Sequence, residues 1–393
     1  MILKHCKLHE AFTGGVAGED CCVEIESGKI KSVSACASEV AEMNGTSDVY
    51  DCQGMTLLPG LIDLHTHITF LGGVGVMQSN DPKQLLVEAA EQANRYLSYG
   101  FTTIRDCGSI GRSANYVKQL INRGVMSGPD MLVCGNTLMP SVTASGGVEG
   151  ITHYCDGPEE FRKAAREEVA AQSDFIKIYA SGSAFSPTGV PKHPIMDSTE
   201  IQMAVNTARA NGLYVAAHCH ADSAIRECIR AGVRTIEHAT YLSEETTDLL
   251  LMTEDCYLVP TLAAMYVSQT EPAEREFWLA RLTPMLESCA KTIGYAYRQG
   301  AMLGFGTDSA PMSPQYANGV EFRFRKEYCG MDNLDILLQA TVNSARIANL
   351  NDVGEIKPGM KADLILVDGD PVSDLSVMYK APVQVWKNGI SQK

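Results

Sequence analysis

The sequence predicts an α/β fold: a (β/α)8 TIM barrel with a small β-sandwich domain built from both chain termini. Three observations carry this. Short apolar runs recur about eight times along the middle of the chain. Amphipathic segments of helix length follow them, and repeated strand–helix alternation argues for a parallel sheet. At 393 residues a closed barrel is favoured over an open doubly wound sheet, and no GxGxxG follows a first strand.

The predicted barrel strands are 61–64, 102–105, 131–134, 175–180, 214–218, 235–237, 257–260 and 302–306. Leu85, Leu86, Ala89, Ala90, Ala93, Tyr96 and Leu97 recur at helical spacing, as do Ile225, Cys228 and Ile229. Asp197-Ser198-Thr199-Glu200 opens another helix with an acidic capping box. At the N-terminal end Val23-Glu24-Ile25-Glu26 alternates and turns through Gly28-Lys29 into Ile30. Residues 362–367 and Val383-Gln384-Val385-Trp386 give matching strands at the other end. Neither end has enough strands to bury its own faces. Residues 1–58 and 355–393 are therefore expected to form one domain, and 59–354 the barrel.

Composition narrows the function. The chain is 45% hydrophobic and carries a formal charge of −15, with no Lys/Arg cluster of the kind a nucleic-acid binder shows. No stretch reaches the roughly 18 uncharged apolar residues a membrane helix needs, and the first residues lack a signal-peptide core. Thirteen scattered cysteines, without a CxxC pair, are read as reduced and mostly buried. Together these point to a cytoplasmic acidic enzyme with a small-molecule substrate and neither a nucleic-acid nor a membrane partner.

The chemistry is concentrated at predicted strand ends. The first strand finishes Asp63-Leu64-His65-Thr66-His67, and residues two apart in a strand share a face. Two imidazoles on one face begin a metal site, although a packed or surface pair is equally compatible with HxH alone. Lys177 stands in the apolar run Phe175-Ile176-Lys177-Ile178-Tyr179. A barrel has no sheet edge, so this lysine is expected to point inward, where an ammonium is costly unless paired or neutralised. Beside two cations it would gain by losing its proton and reacting with carbon dioxide to give a bridging carbamate. His218, His238 and Asp308 each end a predicted strand, where barrels present catalytic residues. A carboxylate such as Asp308 can both bind a cation and accept a proton from metal-bound water.

With these residues in place, the chain resembles the amidohydrolase superfamily, in particular its imidazolonepropionase-like branch with Xaa-Pro dipeptidase (prolidase)-like members. The likeness runs from Leu57-Leu58-Pro59-Gly60-Leu61-Ile62-Asp63 to Gly354-Glu355-Ile356-Lys357-Pro358-Gly359 and Ala362-Asp363-Leu364. It implies two divalent metal ions, with zinc the first candidate. His65 and His67 would hold the more buried ion, His218 and His238 the more exposed one, and carbamylated Lys177 would bridge them. Asp308 would ligate and shuttle the proton while a hydroxide shared by the cations attacks the carbonyl. The resemblance also implies a homo-oligomer. A single-metal site, as in imidazolonepropionase, is disfavoured by the presence of Lys177.

His220 is expected on the inward face with His218, contacting the substrate carbonyl or carboxylate, the alternative being a loop histidine. Tyr179 points inward if its strand continues, with packing as the alternative role. Many members of the family have Thr-Gly-Gly-His where this chain has Ser145-Gly146-Gly147-Val148, so one substrate contact is missing and His153 is the nearby substitute. Arg323 and Arg325 are either partners for a substrate carboxylate or solvated surface residues. His5, His9 and His193 are read as ordinary histidines, and Met77, Met139 and Met312 as packing around the mouth. The expected activity is hydrolysis of an amide or peptide bond in a dipeptide or N-acyl amino acid with a free carboxylate. The alternatives are a cyclic amide, a deaminase substrate or a xenobiotic amide on the same binuclear site, or a non-catalytic barrel scaffold.

Overall fold

The computed structural model describes residues 1–37, 48–72, 75–76, 81–142, 147–184, 186, 191–266, 275–309, 316 and 319–392. Ser145, Gly146, Met77 and Met312 lie outside the described residues.

The barrel strands are Leu61–Thr66, Phe101–Asp106, Asp130–Val133, Ile176–Tyr179, Val215–Cys219, Thr235–His238 and Tyr257–Val259, with residues 302–306 in the eighth position. Parallel ladders join the first three strands and, separately, the fourth to the seventh. Asp174 bridges the two groups, its N–H donating to the Val133 carbonyl at 2.7 Å while its carboxylate accepts from the Val133 N–H.

The eighth segment forms no ladder. A single parallel bridge between Leu258 and Leu303 holds one side, and the Leu64 N–H donating to the Phe305 carbonyl at 2.8 Å holds the other. Glycine makes this closure possible. A Cβ on Gly306 would sit 2.7 Å from Val259 Cγ1 and 3.0 Å from His65 Cβ.

Alternation along the strands sorts the side chains. Ile104, Ile178, Ala217 and Ile236 face outward and pack against helix residues such as Ala93, Val117, Phe161, Ile201 and Ile225. The intervening residues, including Arg105, Lys177, His218 and Glu237, are also buried. The helix from Ser198 to Ala210 carries the complete capping box expected at Asp197 and Glu200. Among the described residues, no helix is long and apolar enough to cross a membrane.

Both chain ends contribute to eight further strands of one sheet, seven in a single hydrogen-bonded path and the eighth, Val49–Asp51, paired beside Ile2–Leu8. Ile2–Leu8, Gly18–Glu26, Lys29–Ala35 and Val49–Asp51 form one group. Thr56–Pro59, Leu364–Val367, Gln384–Lys387 and Ile390–Ser391 form the other, joined to the first at Lys7 and Thr56. Leu3, Val23, Ile25 and Ile30 of the first group share a core with Leu57, Leu364, Leu366 and Trp386 of the second. The opposite face of the second group gives Leu58, Ile365, Val367 and Val385 to the barrel core. These short strands are buried on both sides, which is why 362–367 reads as continuous rather than alternating. The Ser27-Gly28 turn has both residues at positive φ, 51° and 78°, as a two-residue hairpin with right-handed strand twist requires.

Two expectations need correction. The thirteen cysteines are not all reduced: Cys22 and Cys36 form a disulfide, and the other eleven are free and buried. Spacing gave no sign of it because the bond crosses between neighbouring strands. Arg325 is neither solvated nor available to a substrate. Wholly buried, it donates to Glu321 at 2.7 Å, to the Gly304 carbonyl at 3.0 Å and to the Pro260 carbonyl at 2.8 Å.

Arg325 thus ties the ends of the seventh and eighth strand positions to the helix Val320–Glu327. Removing one partner of a buried pair strands the other charge, at a cost of about 3–5 kcal/mol. Arg325→Met is expected to lower the unfolding free energy by about that amount in denaturant titrations. A loss under about 1 kcal/mol, the scale of an exposed ion pair, would contradict this role.

Candidate metal centre

His65 is the last residue but one of the first strand and His67 directly follows that strand, with ring centroids 5.5 Å apart. His65 Nδ1 meets Glu237 Oε2 at 2.7 Å, and His67 Nδ1 meets the Gly108 carbonyl at 2.7 Å. His220 Nδ1 lies 2.7 Å from Thr240 Oγ1, and His238 Nδ1 lies 2.7 Å from Thr261 Oγ1. The Glu237 carboxylate and the Gly108 carbonyl can only accept, which puts the proton of His65 and His67 on Nδ1 and leaves the Nε2 lone pair for a ligand; the threonine hydroxyls orient the His220 and His238 rings the same way. His218 is the exception, with Nε2 placed 3.2 Å from the Gly182 carbonyl.

The rings converge. His238 is 4.8 Å from His65, 4.6 Å from His218 and 4.8 Å from His220 between centroids. Donor atoms of His218, His220 and His238 lie within 4.8 Å of one another, as do those of His65, His238 and Asp308. His238 therefore belongs to both groups. Strand alternation alone would turn it outward with Ile236, but a left-handed backbone at His238 and Ala239, φ 68° and 51°, releases it from that pattern.

Asp308 is placed by its own N–H, which donates to the His65 carbonyl at 2.7 Å, and by a left-handed φ of 50°. Its Oδ1 stands 3.3 Å from His67 Nε2 and 3.7 Å from His65 Nε2. Asp63 braces the same corner, accepting the N–H groups of His65 and Thr307 at 3.1 Å each.

Lys177 lies opposite Ala216 in the register of the fourth and fifth strands and is 1% exposed. Its Nζ is buried and has no hydrogen-bond partner, and the same holds for His238 Nε2. Burial holds His65, His218 and His238 well below the usual histidine range, with the Lys177 charge adding to the effect in each. Burial and then Lys177 bring His220 down to about 3. Burial also opposes the charged form of His67, but the adjoining Asp308 carboxylate raises its pKa. Four neutral imidazoles, a carboxylate and an unpartnered lysine nitrogen form a donor set that fits divalent cations.

Below this rim lies an ion pair. Arg105 donates to Glu237 Oε1 at 2.7 Å and to the Leu64 carbonyl at 2.6 Å, and its guanidinium lies over the Phe175 ring. Glu237 in turn holds His65. The sequence reading missed Arg105 and Glu237, although the argument that singled out Lys177, a charge inside a buried strand run, applies equally to both.

The remaining candidates separate. Tyr179 stacks on His218, with centroids 4.1 Å apart and an interplanar angle of 10°. His153 is 32% exposed, with Nδ1 3.6 Å from Glu167 on a barrel helix. Arg323 lies against Tyr266 and Phe324 with Glu327 at 4.0 Å. The Val148 N–H donates to Thr152 Oγ1 at 3.0 Å.

Known proteins agree with this architecture. Ochratoxinase of Aspergillus niger is 28% identical over 368 residues, covering 85% of this chain and 75% of its own. A solved Xaa-Pro dipeptidase with bound methionine in its active site is 27% identical, with a TM-score of 0.85 over 100% of this chain and 99% of that one. A prolidase complexed with N-methylphosphonate-L-proline is 28% identical, with a TM-score of 0.84 and the same coverage. The profile of the amidohydrolase family matches residues 56–391, and the chain belongs to that family.

Proposed function

We propose that this amidohydrolase is a binuclear metal-dependent enzyme that cleaves the amide bond of a dipeptide or an N-acyl amino acid with a free carboxylate. The observation that carries the proposal is the convergence of His65, His67, His218, His238 and Asp308 at one rim, with the unpartnered Nζ of Lys177 near enough for its charge to act on His65, His218 and His238. In this reading His65 and His67 hold one cation and His218 and His238 the other, with zinc the first candidate. Bound divalent cations supply Lewis acidity and a nucleophilic water at neutral pH.

The chain's own groups do the rest. Once its proton has gone to solvent, the Lys177 amine would add to the carbon of carbon dioxide, forming an N–C bond and releasing a second proton, and the carboxylate so formed would serve both cation positions. Asp308 takes the proton of the attacking water and delivers it to the leaving nitrogen. His220, held by Thr240, orients the substrate carbonyl, and stacked Tyr179 keeps the His218 ring in place. The dipeptidase and prolidase structures support a carboxylate-bearing substrate. Val148 and the likeness to ochratoxinase support a second reading, a xenobiotic amide on the same centre.

Chelation should abolish amide hydrolysis, and zinc, cobalt or manganese should restore it. In a panel of dipeptides, N-acyl amino acids and amides without a carboxylate, turnover confined to the last group would contradict the substrate assignment. Lys177→Ala is expected to drop metal content from two ions to one with most turnover lost; two retained ions would exclude the bridge. Glu237→Gln keeps the shape but weakens the hold on His65, and loss of such supporting contacts lowers metal affinity about 10–100-fold. Unchanged affinity in competition with a chelator would show that Glu237 only packs.

A further inference from the structure

A second group of metal donors lies in the terminal sheet, outside the barrel mouth. His5, Asp20 and Cys36 place their ligand atoms within 4.8 Å of one another, and Cys36 is bonded to Cys22. Sheet register explains the grouping. Asp20 and Cys22 are two apart on the strand Gly18–Glu26 and share a face. Cys21 pairs with Ala35, and the Cys36 N–H donates to the Asp20 carbonyl at 3.1 Å, so Cys36 stands across from Asp20.

His5 comes from the neighbouring strand Ile2–Leu8, where the register shifts between Leu3 and Cys6. It has a left-handed backbone, φ 54°, strained for a residue with a side chain. Such an irregularity re-aims a side chain, and here His5 Nδ1 meets Asp20 Oδ1 at 2.9 Å. The His5 and Asp20 side chains are 30% and 60% exposed, which gives a cation a path in.

We infer that, when the Cys22–Cys36 disulfide is opened, His5, Asp20, Cys22 and Cys36 form a tetrahedral site for a zinc-like divalent cation. One imidazole, one carboxylate and two thiolates are the ligand types and number that zinc takes in structural sites. With ligand bonds of about 2.0–2.3 Å, tetrahedral donors stand roughly 3.2–3.8 Å apart, so the His5, Asp20 and Cys36 atoms draw in from their grouping within 4.8 Å while the two sulfurs, once unbonded, move apart to that spacing. While the sulfurs are bonded to each other they have no thiolate to offer. Opening takes two electrons and two protons from a dithiol, which leaves as its own disulfide. Cation binding then displaces both thiol protons. The site couples the redox state of the terminal sheet to metal occupancy, and it stands independently of the barrel reading.

Cobalt(II) is a suitable probe because a thiolate ligand gives it a charge-transfer band in the near ultraviolet. Full-length protein with its barrel centre filled with zinc is titrated before and after treatment with a dithiol reductant. The reduced protein should take one further cobalt ion with that band, and the oxidised protein none. Cys22→Ser with Cys36→Ser should remove the band, which also controls for Cys107, a thiol near His65 and Glu237. His5→Ala, which keeps both cysteines, should weaken cobalt binding at least about tenfold. No band in the reduced protein, a full band in the double serine variant, or undiminished affinity in His5→Ala overturns the inference.

Discussion

A lysine nitrogen buried among imidazoles, without a hydrogen-bond partner, is the constraint around which the barrel mouth is arranged. Leaving an ammonium there costs several kcal/mol after relaxation. The residues around Lys177 do not relieve that cost by pairing: burial, reinforced by the lysine charge, keeps His65, His218, His220 and His238 neutral. Neutral imidazoles are ready to ligate, and in His65, His220 and His238 the engaged nitrogen is Nδ1, which turns Nε2 to the centre. The same arrangement is therefore unfavourable as a set of bare groups and favourable as a cation cage.

The frame beneath converts this into geometry. Arg105 and Glu237 cross the barrel interior as an ion pair, and Glu237 also fixes the His65 ring. Asp63 links His65 to Thr307, next to Asp308. Glycines 304 and 306 let the eighth segment close the barrel against Leu64 and His65. Each candidate ligand is thus placed by an element whose register is set elsewhere in the core, as a metal site on rigid elements would require.

Much of the barrel was legible because its strands are short apolar runs whose period survives without context. Lys177 stood out for a simple reason: a charge in such a run has to be explained. Arg105 and Glu237 met the same test, but each lies beside a residue that draws the eye, Asp106 and His238. The inward turn of His238 was not legible, because alternation assigns it to the outer face and only a left-handed backbone overrides that. Arg325 looked like a surface residue in a charged helix, since only tertiary packing brings the Gly304 and Pro260 carbonyls to it. The Cys22–Cys36 bond depends on a cross-strand register that sequence spacing leaves open.

The central claim is that two cations sit around Lys177 and share a carboxylate carried by its nitrogen. A crystal of the zinc-loaded protein, measured at the zinc absorption edge, tests this directly. The account predicts two anomalous peaks about 3.5–4 Å apart, with density continuing from Lys177 Nζ to both. A single peak beside an unmodified lysine, or peaks remote from His65 and His218, would contradict it.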